Sequence, residues 1–586
     1  MFHTETNAFT FPLTHGFLKD FSGLDNLALD LQFATDKTLT ARKGPTPVFT
    51  RASGATQVGA SGLIEFAPEN LFLRSEEFND AIWQKLSNSG AVPSVTANAA
   101  LSPLGTMTAD LISFPASLNP RLEQPRNTIE GTIFTLSLWV RANSPVTIRI
   151  GHLSPNTNVN VTTEWVRVSY IYSASSGSFP QISGPASGAA IEVFIWGAQL
   201  ERFNSARTYI PTTTAAVYNA RFDHDPVTFA SKGLLIEESR TNFVLNSDLY
   251  STSTPTNITA TTITGTSVTG SSQIRELSLT ASGALTGVQA NLTGTGTGTK
   301  TLSVFIKKPT SNAAPYFTIG FASSALVYAG IQLTMSGSAP VISVTSTSNT
   351  FAVVSSSLET FSNDWYRVSV VVSGTAANCF PTMYPSNAIW DGTSDIRQTL
   401  IASGTNLIYI FGAQVEAGSF PTSYIPTTTA SVVRSVDLCS ISGTDFTGFW
   451  NRFAGTCVVD VGSSAGISGG SAPRYVSNDI SNRVVEVYGS PTVQFYEQNG
   501  GQEITIKTGA TFPNKIGLAY AINDYQGCFA GVLGGVDTNT GGTIPNPNIF
   551  WMGSINGNAA RMTGHIRSVR YYKKRLANAK LQAITV

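Results

Sequence analysis

Apolar and polar residues alternate along most of this chain, and that period of two is the pattern of β-strands. In TLSLWVRA (Thr135–Ala142) every second residue from Leu136 to Val140 is aliphatic, and EWVRVSY (Glu164–Tyr170) is rich in β-branched and aromatic residues. Turns rich in Gly, Pro, Asn and Ser separate such segments. Since no long stretch carries the 3.6-residue period of a helix, the pattern predicts an all-β protein with very little helix.

The chain also repeats itself. The string FGAQVEAGSFPTSYIPTTTA at 411–430 matches WGAQLERFNSARTYIPTTTA at 196–215, because Gly412 less Gly197 and Tyr424 less Tyr209 both give an offset of 215. Three further blocks recur in the same order: NLFLRS with NFVLNS, TLSLWVRA with TLSVFIKK, and EWVRVSY with DWYRVSV. The order is kept while the spacing varies, so we predict two copies of one module with loops of different length, at about 70–216 and 242–431.

Many short antiparallel strands in units of this size predict two-sheet β-sandwiches, most simply jelly rolls. The repeated string then closes each sandwich with a strand that is apolar on both faces, and Pro426, which cannot donate a ladder hydrogen bond, marks the exit. Trp165 and Trp365 occupy matching positions. We expect both of them, and also Tyr209 and Tyr424, to be largely buried.

The remaining segments predict further β-structure. Residues 1–69 and the connector 217–241 carry short strands around turns. Residues 432–586 alternate again and end in KKRLANAKLQAITV, where Asn578 is placed to cap one short helix.

Composition narrows the function. Only 12% of the 586 residues are charged, and 36 basic residues balance 36 acidic ones, so no basic field attracts nucleic acid or anionic lipid. The cysteines, which are Cys379, Cys439, Cys457 and Cys528, form no Cys-x-x-Cys pair, and this spacing favours buried thiols over zinc ligands. We expect no secretion signal at the start of the chain and no membrane insertion.

Several of these strings resemble a widespread group of tailed-phage structural proteins of the tail-fibre or head-fibre type. They are ENLFLRSEEFNDAIWQK, WVRVSYIY, FIWGAQLE with YIPTTTAAV, and RFDHDPVT with KGLLIEESRTN. The resemblance covers most of 45–586 and implies that the repeated module is similar to a carbohydrate-binding jelly roll. It also implies that GHIRSVRYYKKRLANAKLQAIT ends a laminin-G/concanavalin-like domain over 432–586.

In this group the segment 49–70 is often followed directly by a segment like 220–242, whereas here residues about 71–217 separate the two. We therefore interpret the first module as inserted into an older strand unit. This predicts that Asn70 and Tyr218 lie close together, and that Phe49–Arg51 and Leu63–Phe66 pack beside Leu234–Glu237. Residues 1–69 would then belong to a discontinuous domain, the alternative being a segment that attaches the chain to a virion.

Little in the sequence suggests catalysis. Glycoside hydrolysis needs two facing carboxylates. Glu237 with Glu238 and Asp223 with Asp225 are candidates, but neighbours on a strand point to opposite faces and connector charges are usually solvated. We therefore expect no catalytic residue. The histidines show no metal-ligand spacing, so no cofactor is expected, although a structural calcium ion remains open; they are His3, His15, His152, His224 and His565.

Sugar binding needs exposed aromatic faces, and MYPSNAIWDG (Met383–Gly392) offers Tyr384 and Trp390 in a loop that is shorter in the first copy. Two interpretations stay open. Either these rings contact a glycan, or the loop is plugged into its own domain or into a neighbouring subunit.

The preferred hypothesis is a non-enzymatic virion structural protein, a fibre or spike on the virion surface, with host-surface glycans as candidate ligands. By family analogy it would form a homo-oligomer, most simply a trimer, and contact other virion proteins. The alternatives are a capsid decoration or head-fibre protein that stabilises the shell, and a polysaccharide depolymerase.

Overall fold

The computed structural model describes most of residues 26–586. The segments outside the description are 1–25, 126–131, 153–155, 175–178, 250–257, 280–287, 290–297, 323–327, 347–350, 375–379, 394–405, 466–471, 479–483, 490, 498–501, 538–545 and 558–559. The described residues form two compact units, one comprising Phe49–Leu438 and the other 26–48, Cys439–Ala465 and 472–586. Their strands pair antiparallel, and within the described residues helix is limited to three short segments. The predicted all-β class is confirmed.

Short elements precede the first module. In chain order they are β1 (Leu27–Leu31), α1 (Phe33–Asp36), β2 (Val48–Thr50), β3 (Thr56–Val58), β4 (Ile64–Phe66) and β5 (Glu69–Asn70). β3 and β4 form a hairpin in which Gln57 lies opposite Glu65.

Module 1 is a sandwich of two five-stranded sheets. Its strands are β6 (Gln84–Leu86), β7 (Ser94–Ala100), β8 (Ala109–Phe114), β9 (Arg121–Glu123), β10 (Ile133–Arg141), β11 (Val146–Gly151), β12 (Asn156–Val161), β13 (Val166–Ser173), β14 (Gln181–Ser183) and β15 (Ile191–Glu201). Sheet A runs β13-β10-β15-β8-β7 and sheet B runs β12-β11-β14-β9-β6. Alternate aliphatic residues, such as Leu136 of sheet A and Ile148 and Ile182 of sheet B, form the buried core between the sheets.

The connector forms four short strands: β16 (Val217–Tyr218), β17 (Arg221–His224), β18 (Ser231–Ile236) and β19 (Arg240–Asn242). β17 and β18 pair as a hairpin, with Phe222 opposite Leu234.

Module 2 follows, and one further strand leaves it. The strands are β20 (Ile258–Thr264), β21 (Gln273–Leu279), β22 (Val288–Gln289), β23 (Lys300–Lys307), β24 (Tyr316–Ala322), β25 (Tyr328–Thr334), β26 (Val341–Ser346), β27 (Phe351–Thr360), β28 (Trp365–Gly374), β29 (Phe380–Ser386), β30 (Leu407–Ala417) and β31 (Val432–Arg434). Sheet A of this module runs β27-β28-β23-β30-β21-β20, and sheet B runs β26-β25-β24-β29-β22.

The two modules share one strand order. In sheet A, β13-β10-β15-β8-β7 corresponds strand for strand to β28-β23-β30-β21-β20, and in sheet B, β12-β11-β14-β9 corresponds to β25-β24-β29-β22. Module 2 adds β26 and β27, one at the edge of each sheet. This is the relation that the repeated sequence blocks predict, with an insertion placed where it disturbs no central strand.

Each module begins and ends at a pair of strands. β5 pairs with β16, placing Asn70 opposite Val217 and Glu69 opposite Tyr218. β19 pairs with β31 in the same way, placing Asn242 opposite Val432. The prediction that Asn70 and Tyr218 lie close together is confirmed.

The expectation that Leu63–Phe66 packs directly beside Leu234–Glu237 is not met. β3, rather than β4, lies against β17, because the Val58 amide donates to Asp223 Oδ1 at 2.6 Å and the Phe222 amide donates to Gln57 Oε1 at 3.0 Å. Leu63–Phe66 therefore joins the β17–β18 hairpin through its partner strand and packs on module 2 instead, where the Ile64 amide donates to Val268 O at 2.8 Å.

The second unit is built mainly from the C-terminal part of the chain. Its elements there are β32 (Leu438–Ser442), α2 (Gly443–Phe449), β33 (Ala454–Ser464), β34 (Arg474–Ser477), β35 (Glu486–Tyr488), β36 (Val493–Glu497), β37 (Gln502–Lys507), β38 (Asn514–Ala521), β39 (Asp524–Phe529), β40 (Val532–Asp537), β41 (Ile549–Met552), β42 (Gly564–Tyr572) and α3 (Asn578–Thr585). One sheet contains β42-β33-β38-β39-β40, with β1 also paired to β42, and the other contains β32-β41-β34-β35-β36-β37.

The final helix corrects one detail of the sequence analysis. α3 begins at Asn578 itself, its N-cap position is Ala577, and no side chain caps it. The Asn578 side chain instead accepts a hydrogen bond from Arg575 Nη1 at 2.8 Å. Packing of the buried Leu581 against the sheet residues Ala519 and Cys528 holds the helix in place.

Candidate functional site: module junctions and outer sheet faces

The repeated closing strand contains a glycine bulge in both modules. Gly197 and Gly412 have φ of +64° and +63°, and the ladder register shifts opposite each of them. A Cβ atom would lie 3.0 Å from the Trp139 ring at Gly197 and 2.9 Å from the Phe305 ring at Gly412. Glycine is therefore required at both positions by conformation and by space.

The paired tryptophans keep their hydrogen bonds but differ in burial. The Trp165 indole donates to Leu101 O at 3.1 Å and the Trp365 indole donates to Thr266 O at 3.0 Å. Trp365 is 0% exposed, whereas Trp165 is only half-buried. Trp165 packs against a buried cluster but is less deeply buried than Trp365. The reason is that Ile64 of β4 packs into the cluster around Trp365, whereas the cluster around Trp165 contains no residue of the N-terminal hairpin.

The paired tyrosines show the same contrast. Tyr424 is 2% exposed, whereas Tyr209 is less deeply buried and packs against a buried cluster. Each hydroxyl lies 2.7 Å from a serine Oγ, that of Ser75 in module 1 and of Ser247 in module 2. Tyr209 and Tyr424 therefore make equivalent contacts with a serine, and they differ in how deeply they are buried.

An asparagine locks the entry of each module, a role that the sequence analysis did not assign. Asn70 Nδ2 donates to Ala198 O at 3.0 Å and to Ile210 O at 2.8 Å, while its Oδ1 accepts from the amides of Phe72 and Leu200, both at 3.1 Å. Asn242 makes the same four bonds to Ala413, Ile425, Val244 and Val415, at 2.8–3.3 Å. The sequence feature that could have revealed this role is the Asn that begins both NLFLRS and NFVLNS.

Five charged side chains are buried together where the connector meets the exit of module 2, and we call them the junction cluster. They are Arg51, Arg221, Glu237, Arg434 and Asp437, and their side chains are at most 3% exposed. Arg51 Nη1 lies 2.9 Å from Asp437 Oδ1, and Arg221 Nη1 lies 2.6 Å from Glu237 Oε2. Arg221 also pairs with Asp437, and Arg434 pairs with Glu237.

Hydrogen bonds complete the cluster. Ser423 donates to Glu237 through its amide at 2.8 Å and through its hydroxyl at 2.7 Å. Arg51 donates to the carbonyls of Ser53 and Asn219. Burial alone would raise the pKa of Glu237, but Arg434, Arg221 and the Ser423 bonds hold it well below its ordinary value. Because a buried charge that loses its partner is costly, each segment stays in place only with the others.

The candidate catalytic carboxylates have structural partners. Glu237 belongs to the junction cluster, and Glu238 Oε1 lies 2.5 Å from Arg240 Nη2. Asp223 accepts the Val58 amide, and Asp225 accepts the amides of Val227 and Thr228 in a turn. The hydrogen bond from the Thr228 amide is the largest cause that lowers the pKa of Asp225.

Tyr384 and Trp390 lie inside module 2 and are 0% and 1% exposed. Tyr384 stands on the outer side of sheet B, opposite Thr318. The loop after β29 folds over this face, and the Trp390 amide donates to Gln332 Oε1 at 2.9 Å while Gln332 Nε2 donates to Ala388 O at 3.1 Å. A glycan platform requires exposed rings, and that condition is not met; the loop is plugged into its own domain.

Among the described residues of module 1, the connection after the corresponding strand is much shorter. Only residues 184–190 connect β14 to β15, whereas 387–406 connect β29 to β30. Because Ile148, Ile150, Leu122 and Ile182 point into the core, the alternating residues point outward. We call them the open face; they are Asn156, Asn158, Asn160, Thr147, Arg149, Gln181, Ser183, Arg121, Glu123, Gln84 and Leu86.

The open face was not identified from the sequence, although NTNVN at 156–160 places an asparagine at every second position. Arg121 Nε lies 3.0 Å from Glu123 Oε2, and Arg149 donates to Gly184 O at 3.0 Å and also to Asn119 Oδ1. The face is therefore rich in amides, and its charges are one Arg121–Glu123 pair and the cation Arg149.

Other candidate chemistry is sparse. Among the described residues no group of three or more His, Cys, Asp or Glu side chains could hold a metal ion. His152, His224 and His565 are described and buried, while His3 and His15 lie outside the described residues. Cys439, Cys457 and Cys528 are buried, and Cys379 lies outside the description. Within the described residues no helix has both the length and the apolar character to cross a membrane.

No protein-family model matches this sequence, and no curated protein matches it. Among solved structures, the N-terminal CBM22-1–CBM22-2 tandem domain of Paenibacillus barcinonensis Xyn10C is 12% identical with a TM-score of 0.20, covering 60% of this chain and 97% of that one. Trypanosoma rangeli sialidase is 8% identical with a TM-score of 0.20, covering 95% of this chain and 96% of that one. TM-scores this low carry no argument about function, and the all-β sandwich class rests on the strands themselves.

Proposed function

We propose that the chain is a non-enzymatic structural protein of a tailed-phage virion, a fibre or spike that presents its first module to glycans on the host surface. The observation that carries the proposal is the placement of buried charge. In a chain with only 12% charged residues, five acids and bases whose side chains are at most 3% exposed join Arg51, segment 221–237 and segment 434–437. Such use of charge favours a mechanical role.

The resemblance to tailed-phage structural proteins supports the virion setting, and the carboxylate partners described above support a non-enzymatic role. Assembly as a homotrimer belongs to the proposal. It is supported by edge strands with exposed apolar residues, such as Val166 and Ile171 on β13 and Val354 on β27, because unpaired edges favour contact with other chains.

Immunogold labelling of purified phage particles tests the location. We expect gold on tails or fibres, with the protein present in every washed particle. Gold on the capsid shell would instead support the head-fibre alternative, and absence of the protein from particles would overturn the virion role.

Two solution measurements test the rest. Incubation with host-envelope polysaccharide should release no reducing ends, and their release would establish the depolymerase alternative. Light scattering of the purified chain should give the mass of a trimer, and a stable monomer at micromolar concentration would contradict the assembly.

A further inference from the structure

We propose that the open face of module 1 binds a neutral oligosaccharide by hydrogen bonds centred on Gln181 and Ser183. The inference rests on the proposed function in taking a glycan as the ligand. It adds the face, the residues and the class of sugar.

The first observation is a set of polar atoms without partners. Gln181 and Ser183 lie on β14, the central strand of sheet B, and each is 1% exposed. In the part of the chain that the structure describes, neither polar atom of the Gln181 amide nor the Ser183 hydroxyl has a hydrogen-bond partner. Because buried polar groups are nearly always paired, three partnerless atoms on one short strand indicate a partner from outside the chain.

The second observation is the matching face of module 2, where the chain itself supplies partners to an outward-facing amide, that of Gln332 on β25, the strand that corresponds to β12. The Gln332 amide bonds to Thr318 Oγ1 at 3.1 Å, to Ala388 O at 3.1 Å and to the Trp390 amide at 2.9 Å. Ser386 Oγ donates to Ala388 O at 2.8 Å. The loop thus occupies in module 2 the position that an external ligand would occupy in module 1.

The chemistry of the open face selects the ligand. An amide offers a donor and an acceptor at once and a hydroxyl can serve as either, which suits the vicinal hydroxyls of a sugar. Arg121 is paired with Glu123, and Arg149 is the one charge of the face without a carboxylate partner among the described residues, so a single cation is left to attract a polyanion. Five strands at ~4.8 Å spacing give a face roughly 19 Å wide, which is wide enough for several sugar rings.

Because Gln181 and Ser183 are each 1% exposed, a ligand would reach them only after the groups that cover them move. Ser183 lies between Arg149 and Arg121 in the ladder, and Gln181 lies between Gly151 and Glu123. The exposed Asn158 stands further along the same row, opposite Arg149. It would contact the ligand at the edge of the face.

Affinity electrophoresis of the full chain tests the site, with dextran, mannan and galactan as neutral polymers and polygalacturonate and alginate as acidic ones. We expect retardation by at least one neutral polymer, with calorimetry on its oligosaccharides giving the Kd. Gln181→Ala and Ser183→Ala should each weaken binding about tenfold, since each removes hydrogen bonds to the ligand. The control Ser169→Ala, exposed on sheet A, should leave the Kd unchanged.

A readout of folding separates binding from structure. Gln181→Ala removes a partnerless buried amide, so Tm should stay constant or rise while affinity falls. If Gln181→Ala lowers Tm, Asn158→Ala decides, because this exposed residue can weaken binding without loss of stability. Unchanged affinity in Asn158→Ala would then overturn the site.

The other outcomes are equally decisive. No retardation by neutral polymers, or retardation by acidic polymers alone, would overturn the ligand class, and full affinity in Gln181→Ala would overturn the location. None of these results alters the immunogold result, so the site and the virion role fail separately.

Discussion

Module 1 and module 2 have the same strand order, the same asparagine lock and the same glycine bulge, yet their outer faces are treated in opposite ways. In module 2 the β3–β4 hairpin packs on sheet A through Ile64, and the loop containing Trp390 covers sheet B. In module 1 Trp165 is only partly buried on sheet A, and within the described residues the polar atoms of Gln181 and Ser183 on sheet B have no hydrogen-bond partner. One repeated fold is thus covered by other segments of its own chain in one copy and is less covered in the other, among the described residues.

The largest expected effect lies at the junction cluster, which belongs to the module 2 side. Arg221→Ala leaves Glu237 and Asp437 each without one of their cations, and removing one partner of a buried ion pair costs about 3–5 kcal/mol. Hydrogen exchange measured by mass spectrometry should show faster opening of 221–237 and 434–438 than of module 1. The control Lys232→Ala breaks an exposed pair 3.9 Å from Glu359 and should cost at most about 1 kcal/mol. If Arg221→Ala and Lys232→Ala lowered stability equally, the junction cluster would not be what holds segments 221–237 and 434–438 in place.

Substituting the paired tryptophans tests whether covering, rather than fold, separates the modules. Trp365→Ala should destabilise module 2 by about 3–5 kcal/mol, because it empties a fully buried site. Trp165→Ala should cost less, because that ring is only partly buried. Urea unfolding, followed by hydrogen exchange in peptides of each module, measures the loss of stability in both variants. Equal losses would contradict the difference in burial between the two tryptophans.

The asparagine locks should break the modules equally. Asn70→Ala and Asn242→Ala each leave buried backbone groups without partners, and we expect a loss of about 3 kcal/mol in either module. Peptides around β5 and β19 report the opening by hydrogen exchange. If only one of the two substitutions destabilised its module, the matching hydrogen bonds of Asn70 and Asn242 would not contribute equally to stability.

A smaller and opposite pair of effects distinguishes the two sheet B faces. Gln332→Ala should destabilise module 2 by about 2 kcal/mol, because Thr318, Ala388 and Trp390 lose a buried partner. Gln181→Ala should cost nothing. Thermal unfolding compares the two, and a loss in Gln181→Ala as large as that in Gln332→Ala would remove the contrast.

The smallest expected effect is a dependence on alkaline pH. Burial, together with the nearby Asp248, raises the pKa of Tyr424 well above its ordinary value, so the folded state keeps a proton that the unfolded state loses near pH 10. Stability should therefore be constant from pH 7 to 9 and fall as the pH rises above about 10. Urea midpoints across this range measure it, and Tyr424→Phe should flatten the decline.

The sequence predicted the all-β class, the repeat and the meeting of Asn70 with Tyr218, because alternation and repeated strings are local signals. It could not predict that Trp365 is more deeply buried than Trp165, because this difference depends on Ile64, which belongs to a hairpin distant in sequence. The junction cluster was out of reach for the same reason, as Arg51 and Asp437 lie 386 positions apart.

The aromatic loop was ambiguous for a different reason. Tyr384 and Trp390 have the composition of a sugar platform, and only the bond between the Trp390 amide and Gln332, 58 positions away, shows that the loop folds inward. The sequence could not indicate that the Gln181 amide lacks a hydrogen-bond partner among the described residues, because this depends on which polar groups lie near it in the fold.

The pairing of β5 with β16 has a mechanical consequence. Because the two strands are antiparallel and flank the whole of module 1, tension on the neighbouring segments reaches the Glu69–Tyr218 pair before any strand of the sandwich. While that pair holds, a pulling force bypasses the module, whose faces keep their shape under load. If the pair unzips and the module unfolds, the chain between Asn70 and Val217, 147 positions, adds up to about 500 Å of slack. A molecule tethered through its two ends would thus absorb a strong pull by sacrificing one domain at a time.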